Sequence, residues 1–353
     1  MRATVHIRDG FDNHFTVLRI GMALLVLVGH GMIIGERSLT AEPMVLGGYS
    51  LSYMAVNAFF IASGFLVTAS MMHRRRVLDF AVARGLRIYP ALIVHVLFLI
   101  LLVGAANTTL PLSAYLTHPD TWLQLPKVLT FTDLDVFLPG TFESNHERYA
   151  SAPLWTLRFE LMAYIGTAVV FALGLMRHRW MVACQFVGFA LAWPALHVLG
   201  LWDGLPPTLQ NIFRFGLAYG LGAAIWACRE QMPFRWALLP LLIAATWIGA
   251  DWAVGEVAFN MMVGYGLFLL AYCDLPRVEL PDISYGVYIY HWPVLQWLAA
   301  KNPDMGTPTL LMASVPIVVG ISWLSWQLVE KPMLARKGPL ADALRRRSKP
   351  VTA

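Results

Sequence analysis

Of 353 residues, 58% are hydrophobic and only 13% are charged, and the mean hydropathy is +0.60. That balance excludes an ordinary soluble domain and points to an all-α, polytopic membrane protein. The net charge of +5 is read as membrane topology and attraction to an anionic leaflet, so membrane lipid is an expected partner and nucleic acid is not.

Ten segments reach or approach the roughly twenty apolar residues that cross a hydrocarbon core. They are 15–35, 51–72, 88–106, 154–176, 181–201, 209–228, 236–252, 257–272, 284–299 and 309–329. The first is longer than a cleavable signal core and lacks a small-residue exit, so it reads as a retained span. Ten spans put both termini on one side. Nineteen Lys and Arg residues fall in the segments sharing that side, four fall in the opposite loops, and Arg19, Arg158 and Arg214 lie within spans. By the positive-inside rule both ends are cytoplasmic. The expected organisation is a ten-span domain over 1–334 and a basic cytoplasmic tail over 335–353, ending in Arg345-Arg346-Arg347 and beyond.

The first span carries Arg19 near its start and His30 near its end. An ionisable group at the bilayer centre costs roughly 2.5–3.5 kcal/mol, which makes it a functional candidate. Eleven residues of α-helix bring the two back to within about 20° of one face, some 16 Å apart. A snorkelling arginine and a histidine bonded to a neighbouring helix would leave the same trace. In the second span, Asn57 precedes Phe59-Phe60, and Ala58, Ser63 and Gly64 are small enough for close helix approach.

Arg74-Arg75-Arg76 read as a topology signal, whereas Arg84 and Arg87, one helical turn apart, form a pair of guanidinium forks suited to phosphate. The 107–153 segment, polar and holding Asp120, Asp133, Asp135, Glu143 and Glu147, is expected as an acceptor-side cap. It leads into Trp155-Thr156-Leu157 and Glu160, the one acidic residue placed inside a span, at roughly the depth of His30. A His30–carboxylate partnership and a wet rim carboxylate both fit Glu160. Arg214 needs a polar partner that the sequence does not name. Trp180, Trp202, Trp236 and Trp252 fall at span ends as interfacial anchors. The ninth span combines Tyr285 and His291 with Pro293, which frees a backbone carbonyl and bends a helix; a buried, hydrogen-bonded His291 fits equally. Cys184, Cys228 and Cys273 have no metal-like spacing and are expected as packing residues, with no metal site.

Taken in order, these stretches resemble the membrane-bound acyltransferase 3 family, whose bacterial members O-acylate surface glycans. Arg19 and His30 are similar to its Arg-x10-His signature, Ser63-Gly64-Phe65-Leu66 to its Ser-Gly-Phe-Leu segment, and Arg84-Gly85-Leu86-Arg87 to its Arg-x-x-Arg motif. Trp155-Thr156-Leu157 with Glu160 resembles Trp-Ser-Leu-x-x-Glu, and Ile283-Ser284-Tyr285, His291-Trp292-Pro293 and Glu330-Lys331-Pro332 resemble its late motifs. The likeness covers residues 11–334.

The resemblance implies an acyl-CoA donor, most often acetyl-CoA, reached from the cytoplasm, and a glycan or glycolipid hydroxyl outside a bacterial inner membrane, with no permanently bound cofactor. It implies His30 as general base or transient acyl carrier, Glu160 as its orienting carboxylate, and donor contacts at Arg19, Ser63, Arg84 and Arg87. Trp155, Tyr285, His291 and Asn57 are substrate or structural candidates. Asn57 departs from the acidic residue many members carry there, and the form expected is the stand-alone one, without a fused hydrolase-like domain after the tenth span. The competing reading is a transporter or flippase, since polar groups within spans also line substrate paths. Against it, residues 1–176 and 177–353 show no convincing repeat. A membrane acyltransferase with a long-chain donor is the third reading.

Overall fold

A computed structural model of the chain describes residues 4–7, 13–276 and 278–347. Arg2, Arg8 and Arg277 of the charge count, and the end of the basic tail, lie outside them. The described residues are mostly helical, with one short antiparallel pair, β1 (Thr4–Val5) against β2 (Phe234–Arg235). The helices are α1 (Phe15–Glu36), α2 (Leu51–Arg74), α3 (Val77–Asn107), α4 (Leu112–Thr117), α5 (Pro119–Leu129), α6 (Leu157–Ala172), α7 (Arg179–Val198) and α8 (Pro207–Cys228). Then come α9 (Leu239–Gly249), α10 (Gly255–Ala271), α11 (Ser284–Lys301), α12 (Thr307–Ser325), α13 (Lys331–Ala335) and α14 (Lys337–Arg347).

Each of the ten expected segments falls on a helix. Among the described residues, six helical stretches are long and apolar enough to cross a membrane: α1, α2, α3, Pro153–Ala172, α7 and the stretch beginning at Thr307. Helices α8 and α11 have the length but are more polar; α9 and α10 are apolar but shorter. Helix α3 starts eleven residues before the expected span, so Arg84 and Arg87 are helical. The turn before it is made by Arg75, which takes a left-handed conformation and donates its N–H to the Met71 carbonyl.

The chain divides into two units. The first comprises Met1–Val26, Pro43–Arg75 and Phe159–Leu280, the second Leu27–Glu42, Arg76–Arg158 and Pro281–Ala353. In the first, α2 and α8 touch backbone to backbone. A Cβ on Gly64 would collide with the Tyr219 carbonyl, and one on Gly222 with that of Ile61. Thus the Ser63-Gly64 segment packs as its small residues require. Phe15, Phe65 and Phe268 fill the adjoining core.

The second unit is built around α11, whose residues from Ser284 to Gln296 are all buried. This helix is too polar to count among the six, and its burial is possible because its polar atoms are bonded. Tyr285 donates to the Ile88 carbonyl (3.3 Å) and Tyr288 to that of Pro153 (3.1 Å). Trp292 Nε1 donates to the Tyr149 carbonyl (2.9 Å) and Gln296 Nε2 to that of Glu147 (2.7 Å). The segment expected as a cap is therefore clamped to α11 through residues 145–149. The tail is helical from Lys337, and Arg345 pairs with Asp79 at the start of α3 (3.5 Å).

Candidate active site

Helices α1 and α11 bring His30 and His291, 261 positions apart, to a hydrogen bond of 2.8 Å between His30 Nδ1 and His291 Nε2. The rings stack at 5.1 Å, and Trp292 sets its edge against His30 at 5.2 Å. One further bond decides the proton positions. His291 Nδ1 lies 3.1 Å from the Val287 carbonyl, which can only accept, so that nitrogen carries the hydrogen. In a neutral His291, Nε2 is then an acceptor and His30 Nδ1 is the donor to it. His30 Nε2 is left as a lone pair with no partner among the described residues, on a ring that is half-buried. The chain from Val287 through His291 thus makes one tautomer of His30, the form a general base or nucleophile needs. The sequence reading offered Glu160 for this orienting task. In the first unit Glu160 accepts a hydrogen bond from Tyr164 of its own helix.

Trp155-Thr156-Leu157 stands beside this pair. Trp155 is half-buried in a 3-10 turn, Pro153–Thr156. Thr156 Oγ1 bonds the Tyr288 hydroxyl at 2.7 Å, one turn before His291, and the Tyr288 and His291 rings are 6.1 Å apart. Glu42 folds back on α1 so that its carboxylate rests where a side chain on Gly29 would stand, one residue from His30. Sequence reasoning passed over it because it lies in a loop.

Arg84 and Arg87 stand one turn apart on α3. Arg87 donates to Asp282 (2.8 Å) and to the buried Glu330 (3.4 Å), and lies 6.0 Å over the Tyr285 ring. Its partners hold it tightly. Ser284 Oγ donates to Asp282 (2.6 Å) and Ser325 Oγ to Glu330 (3.4 Å). The turn Trp326–Glu330 is π-helical, which offsets Glu330 from the face that an unbroken α-helix would give it. The Arg-x-x-Arg motif and two of the late motifs thus meet as one ion-pair node that fixes α3 to the start of α11. Arg84 lies 5.7 Å over the Phe80 ring.

In the first unit Arg214 finds the partner that sequence could not name. Its Nε donates to Asn57 Oδ1 (2.9 Å), its Nη2 donates to the Tyr53 carbonyl (3.3 Å), and its guanidinium lies 3.4 Å over the Tyr53 ring. Asn57 Nδ2 donates to Glu256 Oε1 (3.0 Å), and the Tyr53 hydroxyl donates to Glu256 Oε2 (2.9 Å). Glu256 is buried, so Glu160 is not alone among acidic residues of the apolar helices. It escaped notice because α10 starts at Gly255, before the expected span. Where the resemblance leads one to look for an acid, Asn57 supplies the amide and Glu256 the carboxylate. Arg19 and Ser63 are half-buried in α1 and α2.

Among the described residues, no group of three His, Cys, Asp or Glu side chains suits a metal ion.

Comparison with known proteins agrees with the motif reading. Residues 12–327 match a family described as an acyltransferase domain. The chain is 28% identical to an O-acetyl transferase of Shigella phage Sf6, over 93% of this chain and 98% of that protein. It is 27% identical to nodulation protein 10 of Rhizobium leguminosarum bv. viciae, over 92% of this chain and 94% of that one. No solved structure matches. These likenesses remove the support for a transporter.

Proposed function

The chain belongs to the acyltransferase 3 family and is an integral membrane acyltransferase, and on that premise we propose that it moves an acyl group, acetyl in the first instance, from acyl-CoA to a hydroxyl of a glycan or glycolipid. The O-acetyl transferase relative favours oxygen as the acceptor and acetyl as the group. In this reading all ten segments span a bacterial inner membrane with both termini cytoplasmic; the donor comes from the cytoplasm and the acceptor waits outside.

The observation that carries the reading is the bond chain ending on the lone pair of His30 Nε2. That nitrogen takes the proton of the acceptor hydroxyl as its oxygen attacks the thioester carbonyl. The carbon–sulfur bond then breaks, and the coenzyme leaves as a thiolate that recovers the proton. The same lone pair suits brief carriage of the acyl group as an acyl-imidazole. His291 holds the tautomer and spreads the charge His30 gains. Arg19, on the helix of His30 but eleven residues before it, is assigned to hold the donor. Arg84 is assigned its phosphates, while Arg87 and Tyr285 keep the scaffold in place. Ser63, Trp155 and Asn57 act through packing and positioning.

The test is mass spectrometry of surface glycans from a null strain complemented with wild type or His30→Ala. An O-acetyl increment is expected with wild type and a loss of about 10³-fold or more with the variant, the scale of a removed general base. Equal restoration by His30→Ala would sink the mechanism. An increment of longer acyl mass would move the donor to a long-chain thioester.

A further inference from the structure

The first unit contains a groove that takes no part in the reaction just described. It measures about 890 Å³ and is lined by the turn before α2, the end of α7 with the loop after it, and the α9–α10 connection. In the ten-span reading all three stretches lie on the outer side.

One wall is an aromatic stack. His197 lies nearly parallel to both Trp193 and Trp202, with centroids at 5.2 and 4.4 Å. Its Nδ1 donates to the Trp193 carbonyl at 2.8 Å, which leaves Nε2 as an acceptor. Another wall is Tyr49 and Tyr53, with Tyr49 fixed by stacking on Phe259 at 3.9 Å. Burial and the Glu256 carboxylate push the Tyr49 hydroxyl up, so it stays a donor. Asp251, exposed, adds a carboxylate to the lining.

This mixture selects a ligand with apolar faces and a hydroxyl rim. Aromatic rings offer flat apolar area with a polar edge, which suits the C–H face of a pyranose. Carboxylate and imidazole accept from hydroxyls around it. A phosphate or another anion is disfavoured by the Asp251 carboxylate, and a hydrocarbon chain would leave Asp251 and His197 Nε2 without the hydroxyls they can accept from. The volume lies within the range of about 300–1,000 Å³ that seats a drug-sized ligand, more than a lone ammonium needs. We propose that this groove is a saccharide-binding site that seats part of the glycan acceptor. The choice of the acceptor as the saccharide rests on the transferase reading; the ligand chemistry rests on the groove alone.

The test uses full-length protein in nanodiscs prepared without glycoside detergents. The probe is the oligosaccharide pool released by mild acid from the surface polysaccharide of the encoding organism, then O-deacylated. Calorimetric titration is expected to show binding to wild type and equally to His30→Ala, with a tenfold or greater loss of affinity in Trp202→Ala and in Asp251→Asn. With acetyl-CoA present, the same two variants should raise the acceptor KM by a similar factor and leave the donor KM at its wild-type value. Absence of binding to wild type, unchanged affinity in both variants, or displacement by choline chloride or phospholipid vesicles would overturn the proposal. Binding without any acyl transfer would leave the groove standing and remove the enzyme reading. Transfer with an unchanged acceptor KM in both variants would do the reverse.

Discussion

Around His30 the buried polar groups form an open chain: the Val287 carbonyl, His291, then His30, ending on a nitrogen that nothing in the described residues claims. Around Arg214 they form a closed ring: Arg214 to Asn57, Asn57 to Glu256, Glu256 to Tyr53, and the Tyr53 carbonyl back to Arg214. A closed ring satisfies its members with one another, so what it contributes is geometry. An open chain transmits orientation to its last atom and leaves that atom chemically available. The difference separates a polar cluster that builds a helix interface from one that does chemistry, although both would be flagged alike as polar groups in apolar helices.

Breaking the ring should cost stability first. Arg214→Ala leaves Glu256 buried without the cation that faces it through Asn57 and Tyr53. About 3–5 kcal/mol of stability is expected to be lost, as for a broken buried ion pair. A thermal melt in nanodiscs reads it, and an unchanged melting temperature would erase the contrast drawn above. Breaking the chain should cost rate instead. His291→Phe removes the acceptor for His30 Nδ1, and the transfer rate per folded molecule should fall about 10²-fold with little change in melting. His291→Gln, whose amide oxygen can accept from Nδ1, should recover part of it; failure to do so would argue that the imidazole does more than orient. The smallest effect is expected from Asn57→Asp. It deletes the donor to Glu256 and sets a like charge beside it, at a cost of about 1–3 kcal/mol. A more stable Asn57→Asp would show that the ring prefers a direct ion pair with Arg214.

Much of this molecule was legible in its sequence, because apolar stretches of span length are a local signal. All ten expected segments fall on helices, and the tight passage at Gly64 was announced by its small neighbours. What stayed hidden is pairing across distance in the chain. Nothing near His30 points to His291, and nothing in Arg84-x-x-Arg87 says that its second arginine meets Asp282 and Glu330. Glu256 was lost by the placing of one helix start. Trp202, read as an interfacial anchor, stacks on His197 to build a groove wall. Hydropathy also undervalued α11, since a helix can be buried and polar at once when every polar atom has a partner.

The π-helical turn at Trp326–Glu330 also carries a lesson about inheritance. Such a turn amounts to an α-helix with one residue inserted. Deleting any one of the first four would heal the helix and leave it apolar, yet would swing everything on one side of it by about 100° relative to the other. Glu330 and Arg87 would then part company. A substitution at Leu328, which is 73% exposed, changes none of this. Over positions 326–329, heredity should therefore tolerate misspelling far better than miscounting.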